Sequence, residues 1–496
     1  MTPAKRMPRA ALLLLLCGLG SCGSEPERGP NVLFVTLDTT RADYLGTYAS
    51  VHGPTPAFDA LAERGVRFEQ AISSSALTPV SHASMLTGLF PYRHGLRVLS
   101  AGSGYRLPED VPLVTSILRE AGYRTAAVHS AFPVSAHFGF DRGFEHFDGV
   151  DGELDVDGRS WDVDRAQRRS DETTDLALDA LDAVQGPGPF FLWVHYWDPH
   201  DPRLLPPAEW LEGISTERES DELYAAEVHY LDSQFARLLE GLAERGLAAD
   251  TLVVVVSDHG EGLSDGLKRH GWGSHRMLYQ EQIRVPLILA GPGVPAGLAV
   301  DSVVRTVDLA PTVLDYVGLA TPPDLDGRSL RASIEGTDTE PRVAYADQIN
   351  AYDHNAGMVK RRPDAAFLFS VISGRWKLIY RPHVPASERT ELFDLEADPL
   401  ELCDLSDDQP EVLIRLLDDL GRRRPWVLGP FPSTGEEGSA AAERALEALG
   451  YTSTEDEDPT WRWSWTCPAH PEALSASSAP HAKDCALAPI PFAEQE

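Results

Sequence analysis

Three apolar runs in this chain end abruptly in residues that can hold a cation or move a proton. NVLFVTL (31–37) runs into Asp38, and TLVVVVS (251–257) into Asp258-His259-Gly260-Glu261. FFLWVHY (190–196) carries His195 and runs into Trp197-Asp198-Pro199-His200. An aspartate after a strand is commonly a turn former. Three such ends together point further, because ligands in open α/β sheets sit at the carboxyl ends of strands. Asp38, Asp258 and His259 offer two carboxylates and an imidazole, ligand types that suit Ca²⁺, Mn²⁺, Mg²⁺ or Zn²⁺. Their two negative charges match a divalent cation. A second ion would need an aspartate and two histidines more, for which Asp198, His200 and His275 are available.

SALTPVSHASMLTG (75–88) reads as a loop and a helix start. Thr78 is an N-cap candidate and Pro79 fits the first helical position. A helix N-terminus is an anion site. Thr78 either only caps this helix or places a metal-activated hydroxyl there as a nucleophile. His82 lies one turn on. Lys268, His270 and His275 follow the Asp258-His259 pair. Loop histidines are commonly solvated; here they are candidates to bind a phosphate or sulfate group or to protonate a leaving group. His129, at the end of RTAAVHS (124–130), either faces the same edge or serves a turn.

The elements that must position these residues are legible as pattern. NVLFVTL, RTAAVHS, FFLWVHY and TLVVVVS read as buried parallel strands. PAFDALAERGVRF, LVTSILREAGY, DETTDLALDALDAV and YLDSQFARLLEGLAERGL read as helices between them. Strand alternating with helix predicts a doubly wound α/β sheet. The acidic stretch 148–167 reads as an exposed insertion; its spaced aspartates fall short of a calcium loop. Beyond about residue 360, FLFSVISGRWKLIYRP and RTELFDLEADPLELCDL predict short antiparallel strands of a smaller α+β subdomain. The expected division is a signal segment 1–22, a tether 23–30, a catalytic domain 31–355, the subdomain 356–452 and a polar Trp- and Pro-rich tail 453–496.

The formal net charge of −33 argues against nucleic acid as a partner. An anionic substrate would need a locally positive site. Lys5, Arg6 and Arg9 precede AALLLLLCGLG, a core too short to span a bilayer comfortably. It ends LGSC, which resembles the lipobox of bacterial lipoproteins; lipid on Cys22 would anchor the chain outside the cytoplasm, in the cell envelope. Cys467 and Cys485 are expected to be able to pair, leaving Cys403 over.

The motifs together resemble the sulfatases of the alkaline phosphatase superfamily, from about residue 30 to 410. NVLFVTLDTTRADYLGTYA is similar to the first metal motif, LTPVSHASMLTGLFPYRHG to the catalytic signature, FFLWVHYWDPHDP to the substrate-side segment and VVVVSDHGE to the second metal motif. LYQEQIRVPLILAGPG, VRTVDLAPTVLDYVGL, DGRSL, GRWKLIY and ELFDLEADPLE follow in family order. The resemblance implies a doubly wound mixed sheet with a smaller C-terminal subdomain. It also implies Asp38, Asp258 and His259 as metal ligands, Thr78 at the nucleophile position, and His200 and His275 as substrate contacts. His82, His195, His270 and Lys268 remain candidate contacts to an anionic sulfate or phosphate ester. This sequence departs from the family at the nucleophile. Sulfatases carry a Cys or Ser that is oxidised to formylglycine; Thr78 would give a ketone, and His82 replaces an Arg. A threonine nucleophile resembles the superfamily's phosphodiesterases and phospho-group transferases. The resulting expectation is a metal-dependent ester hydrolase. Its rivals are a phospho-group transferase acting on an envelope glycan or lipid and a catalytically silent binding protein.

Overall fold

The computed structural model of the protein describes residues 29–423, apart from 99–105, 151–166, 202, 216–219, 264–269, 271–274, 353–358 and 360–361. The signal segment with Cys22, Lys268, most of the acidic insertion and the tail lie outside the described residues.

Nine strands make the larger sheet: β1 (Asn31–Leu37), β2 (Val66–Ile72), β3 (Arg124–His129), β4 (His146–Asp148), β5 (Phe190–Tyr196), β6 (Thr251–Ser257), β7 (Arg284–Val285), β8 (Leu287–Ala290) and β9 (Leu298–Arg305). Their order is β4-β3-β5-β1-β6-β8-β2-β7, with β9 also paired to β2. The block β4-β3-β5-β1-β6 is parallel throughout. β8 then runs antiparallel to both β6 and β2. The sheet is therefore mixed.

Both faces of the sheet are covered. Along β1, Val32 and Phe34 enter one apolar cluster with the Thr78–Thr87 and Leu309–Tyr316 helices. Leu33, Val35 and Leu37 enter a second with the Ser170–Ala183 and Asp221–Glu244 helices. Burial on both sides is why the central strands read as unbroken apolar runs. The four strands expected from sequence are β1, β3, β5 and β6. β2 (VRFEQAI) and β9 (LAVDSVVR) alternate buried with partly exposed positions, and the sequence reading ran part of β2 into a helix. The last helix of the block begins at Asp221, ahead of the expected YLDSQF start.

The smaller sheet is antiparallel, in order β10-β11-β12-β13: Val343–Gln348, Leu368–Ser373, Trp376–Tyr380 and Thr390–Asp394. Its first strand begins at Val343, inside the span assigned to the catalytic domain, just after the turn-rich stretch EGTDTEP. Leu413, Leu416 and Leu420 of the Pro410–Arg423 helix pack on it. Cys403 is disulfide-bonded, contrary to the expectation that it stands alone. Pairing of Cys467 with Cys485 lies outside the described residues.

Candidate active site

Register builds the site. Leu37 pairs in parallel with both Tyr196 and Ser257, so the residues that follow emerge side by side from β1, β5 and β6. Asp38 and Asp258 thereby meet with His259 as a cluster whose ligand atoms lie within 4.8 Å of one another. All three are fully buried.

Each ligand has one atom tied down and one left facing the cluster. Asp38 Oδ2 lies 3.2 Å from His195 Nε2, while Oδ1 has no hydrogen-bond partner among the described residues. Asp258 Oδ1 accepts from the Thr39 N–H (3.1 Å) and the His259 N–H (2.7 Å), while Oδ2 has none. His259 Nδ1 donates to the Gly260 carbonyl (2.9 Å), which leaves Nε2 as the acceptor nitrogen. Thr39 reaches Asp258 from a left-handed backbone, φ 47°, strained for a β-branched residue.

Burial, then the charges of Asp258 and Glu261, push Asp38 well above the usual carboxylate range. Burial raises Asp258 as well, against the pull of His259. Burial holds His259 down to about 4. Two adjacent buried carboxylates cannot both stay ionised without a counter-charge. Orphaned oxygens, crowded negative charge and a neutral imidazole fit a divalent cation.

Thr78 sits at the same spot. It is the first residue of the Thr78–Thr87 helix; Leu77 occupies the cap position, so Thr78 is not the N-cap expected from sequence. Its hydroxyl lies 3.3 Å from His259 Nε2 and close enough to both carboxylates to favour their charged forms. Every residue of this helix is buried, and its hydroxyls are partnered. Ser81 Oγ donates to the Asp258 carbonyl (2.6 Å), Ser84 Oγ lies 3.0 Å from His94 Nε2, and Thr87 Oγ1 donates to the Ala83 carbonyl (2.6 Å). Small, hydroxyl-bearing residues let the helix start against the sheet edge without stranding polar groups.

The remaining expected contacts divide. His200 is half-buried, its ring stacked on Trp197 at 3.8 Å and 5.1 Å from the His275 ring. The His275 ring is 4.9 Å from that of His259, and its Nδ1 lies 3.3 Å from Glu261 Oε2. Burial, with Arg276 beside it, pushes His275 down to about 3. The rings of His200, His275 and His259 thus follow one another at 5.1 and 4.9 Å. His195 and His82 are fully buried beside the two carboxylates. His82 Nδ1 donates to the Thr78 carbonyl (2.8 Å) and stands 3.6 Å from Asp258 Oδ2. Burial drives His82 to about 4 and His195 well below its ordinary value. They hold the ligands where a substrate contact was expected. His270 lies in a different cluster, with Nδ1 2.7 Å from Glu281 Oε1 and Nε2 3.1 Å from the Glu401 carbonyl.

Asp198, His200 and His275 form no ligand cluster among the described residues. Asp198 Oδ1 instead accepts from the Ser170 N–H and hydroxyl at the start of a helix. His129 Nδ1 donates to the Ala131 carbonyl, the turn role. Glu261, Ser81 and Ser73, whose hydroxyl donates to the Asp258 carbonyl (2.5 Å), were missed as supporting residues. The hydroxyl density of SSSALTPVS was the available signal for the serines.

The sulfatase family model matches residues 30–319, and the model of the N-sulphoglucosamine sulphohydrolase C-terminal region matches residues 268–422. The choline-sulfatase of Rhizobium meliloti is 26% identical, over 85% of this chain and 91% of its own length. The N-acetylglucosamine-6-O-sulfatase of Bacteroides thetaiotaomicron is 24% identical, over 80% and 86%. The phosphonate monoester hydrolase of Agrobacterium radiobacter superposes with a TM-score of 0.63 at 22% identity, covering 80% of this chain and 95% of that one.

Proposed function

The chain belongs to the sulfatase family of ester hydrolases, and we propose that it cleaves a sulfate ester with Thr78 as an unmodified nucleophile and a divalent cation held by Asp38, Asp258, His259 and Thr78. The observation that carries this reading is the Thr78 hydroxyl, 3.3 Å from His259 Nε2 and against both carboxylates at the start of a buried helix. A bound divalent cation supplies charge to stabilise the alkoxide and the equatorial oxygens of the transferred group.

The chain's own residues do the rest. Asp38 and Asp258 are fixed by His195, Thr39 and the His259 N–H, so the site needs little reorganisation. In the first half, Thr78 Oγ, its proton released to solvent, bonds to sulfur as the ester oxygen leaves from the opposite side, and His275, held on Glu261, gives a proton from Nε2 to that oxygen. In the second half, His275 takes a proton from the water that attacks from that same side, the new oxygen bonds to sulfur, and sulfate leaves Thr78 Oγ free for the next cycle. His200, at the open side, contacts the anion.

A phosphate or phosphonate ester is the second reading, favoured by a nucleophile that cannot become an aldehyde. The test is a rate comparison of aryl sulfate, phosphate monoester, phosphate diester and phosphonate on metal-loaded protein, with Thr78→Ala alongside. Turnover of the sulfate, lost in Thr78→Ala while metal still binds, supports the main reading. Faster phosphate or phosphonate turnover replaces it with the second, and full activity of Thr78→Ala overturns the nucleophile.

The LGSC motif supports placing the enzyme on the envelope through lipid at Cys22. Incorporation of labelled palmitate, abolished by Cys22→Ser, checks this.

A further inference from the structure

His275 is aimed by its neighbour. Arg276 has φ 89°, a region that residues with a Cβ enter only when surrounding structure holds them there. The peptide joining Arg276 to Met277 is pinned at both ends. Its carbonyl accepts from Asn350 Nδ2 (3.0 Å), and its N–H donates to Gln282 Oε1 (2.6 Å). Asn350 is fully buried and Gln282 nearly so.

Asn350 is itself over-determined. Its Nδ2 also donates to the Ala365 carbonyl (2.8 Å), and its Oδ1 accepts from Gln348 Nε2 (3.0 Å). Two carbonyl acceptors at one end and an amide donor at the other fix which way this side chain points. Gln348 in turn accepts from Ser75 Oγ (3.1 Å), and Asp347 beside it donates its N–H to the Ser74 carbonyl (3.0 Å). One tip of the smaller sheet thus reaches the segment three residues before Thr78 and the 276–277 peptide, one residue beyond His275. The path Ser75–Gln348–Asn350–Arg276 is continuous in hydrogen bonds.

We propose that Asn350 and Gln282 are positioning residues for His275: they hold the strained 276–277 peptide and thereby fix the histidine relative to the nucleophile. The proposal rests on the use of His275 in the reaction above. Neither residue touches the reacting atoms, and both meet the peptide next to His275, so the cycle below reads their effect through that histidine.

The experiment is a double-mutant cycle on the full chain, loaded with the metal that gives the highest rate and assayed on the best aryl ester of the panel. Asn350→Ala and Gln282→Met should each lower kcat by about ten- to a hundredfold, the scale of an ångström-level misplacement. Metal affinity should stay within about twofold. His275→Ala should cost at least as much, and His275→Ala/Asn350→Ala should be no slower than His275→Ala within about twofold. Asn350→Asp, which keeps the volume but loses the donor, guards against a folding defect, with Tm measured for each variant. Losses that multiply in the double variant overturn the proposal, as does Asn350→Asp at full rate. His275→Ala at full rate overturns the histidine's role in the reaction itself; slow His275→Ala with harmless Asn350 variants overturns only the positioning.

Discussion

Asp38, Asp258 and His259 on one side, and His270, Glu281 and Glu401 on the other, each bring two carboxylates and an imidazole within 4.8 Å. By ligand count the two clusters are equivalent; by charge they are opposites. The first leaves Asp38 Oδ1 and Asp258 Oδ2 without hydrogen-bond partners among the described residues, and its histidine is held neutral. In the second, Lys377 Nζ stands 2.6 Å from Glu401 Oε1 in full burial, Glu401 Oε2 accepts from the Gln280 N–H (2.5 Å), and His270 lies 2.7 Å from Glu281. Burial alone would lower His270, but Glu281 and Glu401 raise it. The second cluster carries its own cations and ties His270, Gln280 and Glu281 to the smaller sheet. Ligand atoms within reach of one another make a metal site only where the protein leaves their charge uncompensated.

The comparison breaks most visibly at its first member. Asp258→Asn should take metal content toward zero by elemental analysis and lower turnover more than about a thousandfold, whereas Glu281→Gln should leave metal content unchanged. Retained metal in Asp258→Asn would mean the ligands are misassigned. Lys377→Met strands Glu401 in burial and should cost about 3–5 kcal/mol by denaturant unfolding. Placed on Asp258→Asn, it should let added Zn²⁺ raise Tm; no rise means that the lysine is not what excludes a cation. His195→Gln should weaken metal binding by about ten- to a hundredfold with little change in Tm. Unchanged affinity would make His195 a packing residue.

The smallest effect is in pH. His270 is raised, so its stabilisation is complete below the unfolded value of 6.5 and is lost as pH climbs through the folded value above it. His82 and His259 fold at about 4, so the unfolded chain takes up protons first, and their contribution falls between 6.5 and about 4 on acidification. Tm plotted against pH should therefore decline on both sides. His270→Gln should flatten only the alkaline decline; a change confined to the acid side would assign the slopes the other way.

How much was legible follows from burial. β1, β3, β5 and β6 are covered on both faces, so their sequences could only be apolar runs, and the chemistry at their ends stood out. β2 and β9 keep partly exposed positions and lost that contrast. That Asp38, Asp258 and His259 meet was legible because they follow strand ends, and Thr78 drew notice as the start of a helix. His82, His195 and His270 were expected as substrate contacts, but whether a side chain faces a substrate or backs a ligand depends on register and rotamer. Asn350 and Gln282 gave no signal, since an amide's value lies in which peptide it meets.

The bond from Thr39 to Asp258 spans 219 residues. The two carboxylates meet only when β6 settles beside β1, and closing so long a loop is a slow, late step in folding. No shorter nascent fragment contains the ligand set. An ion held by these residues would therefore be acquired after most of the sheet has formed, and the supply in the compartment where folding finishes would decide which metal they hold.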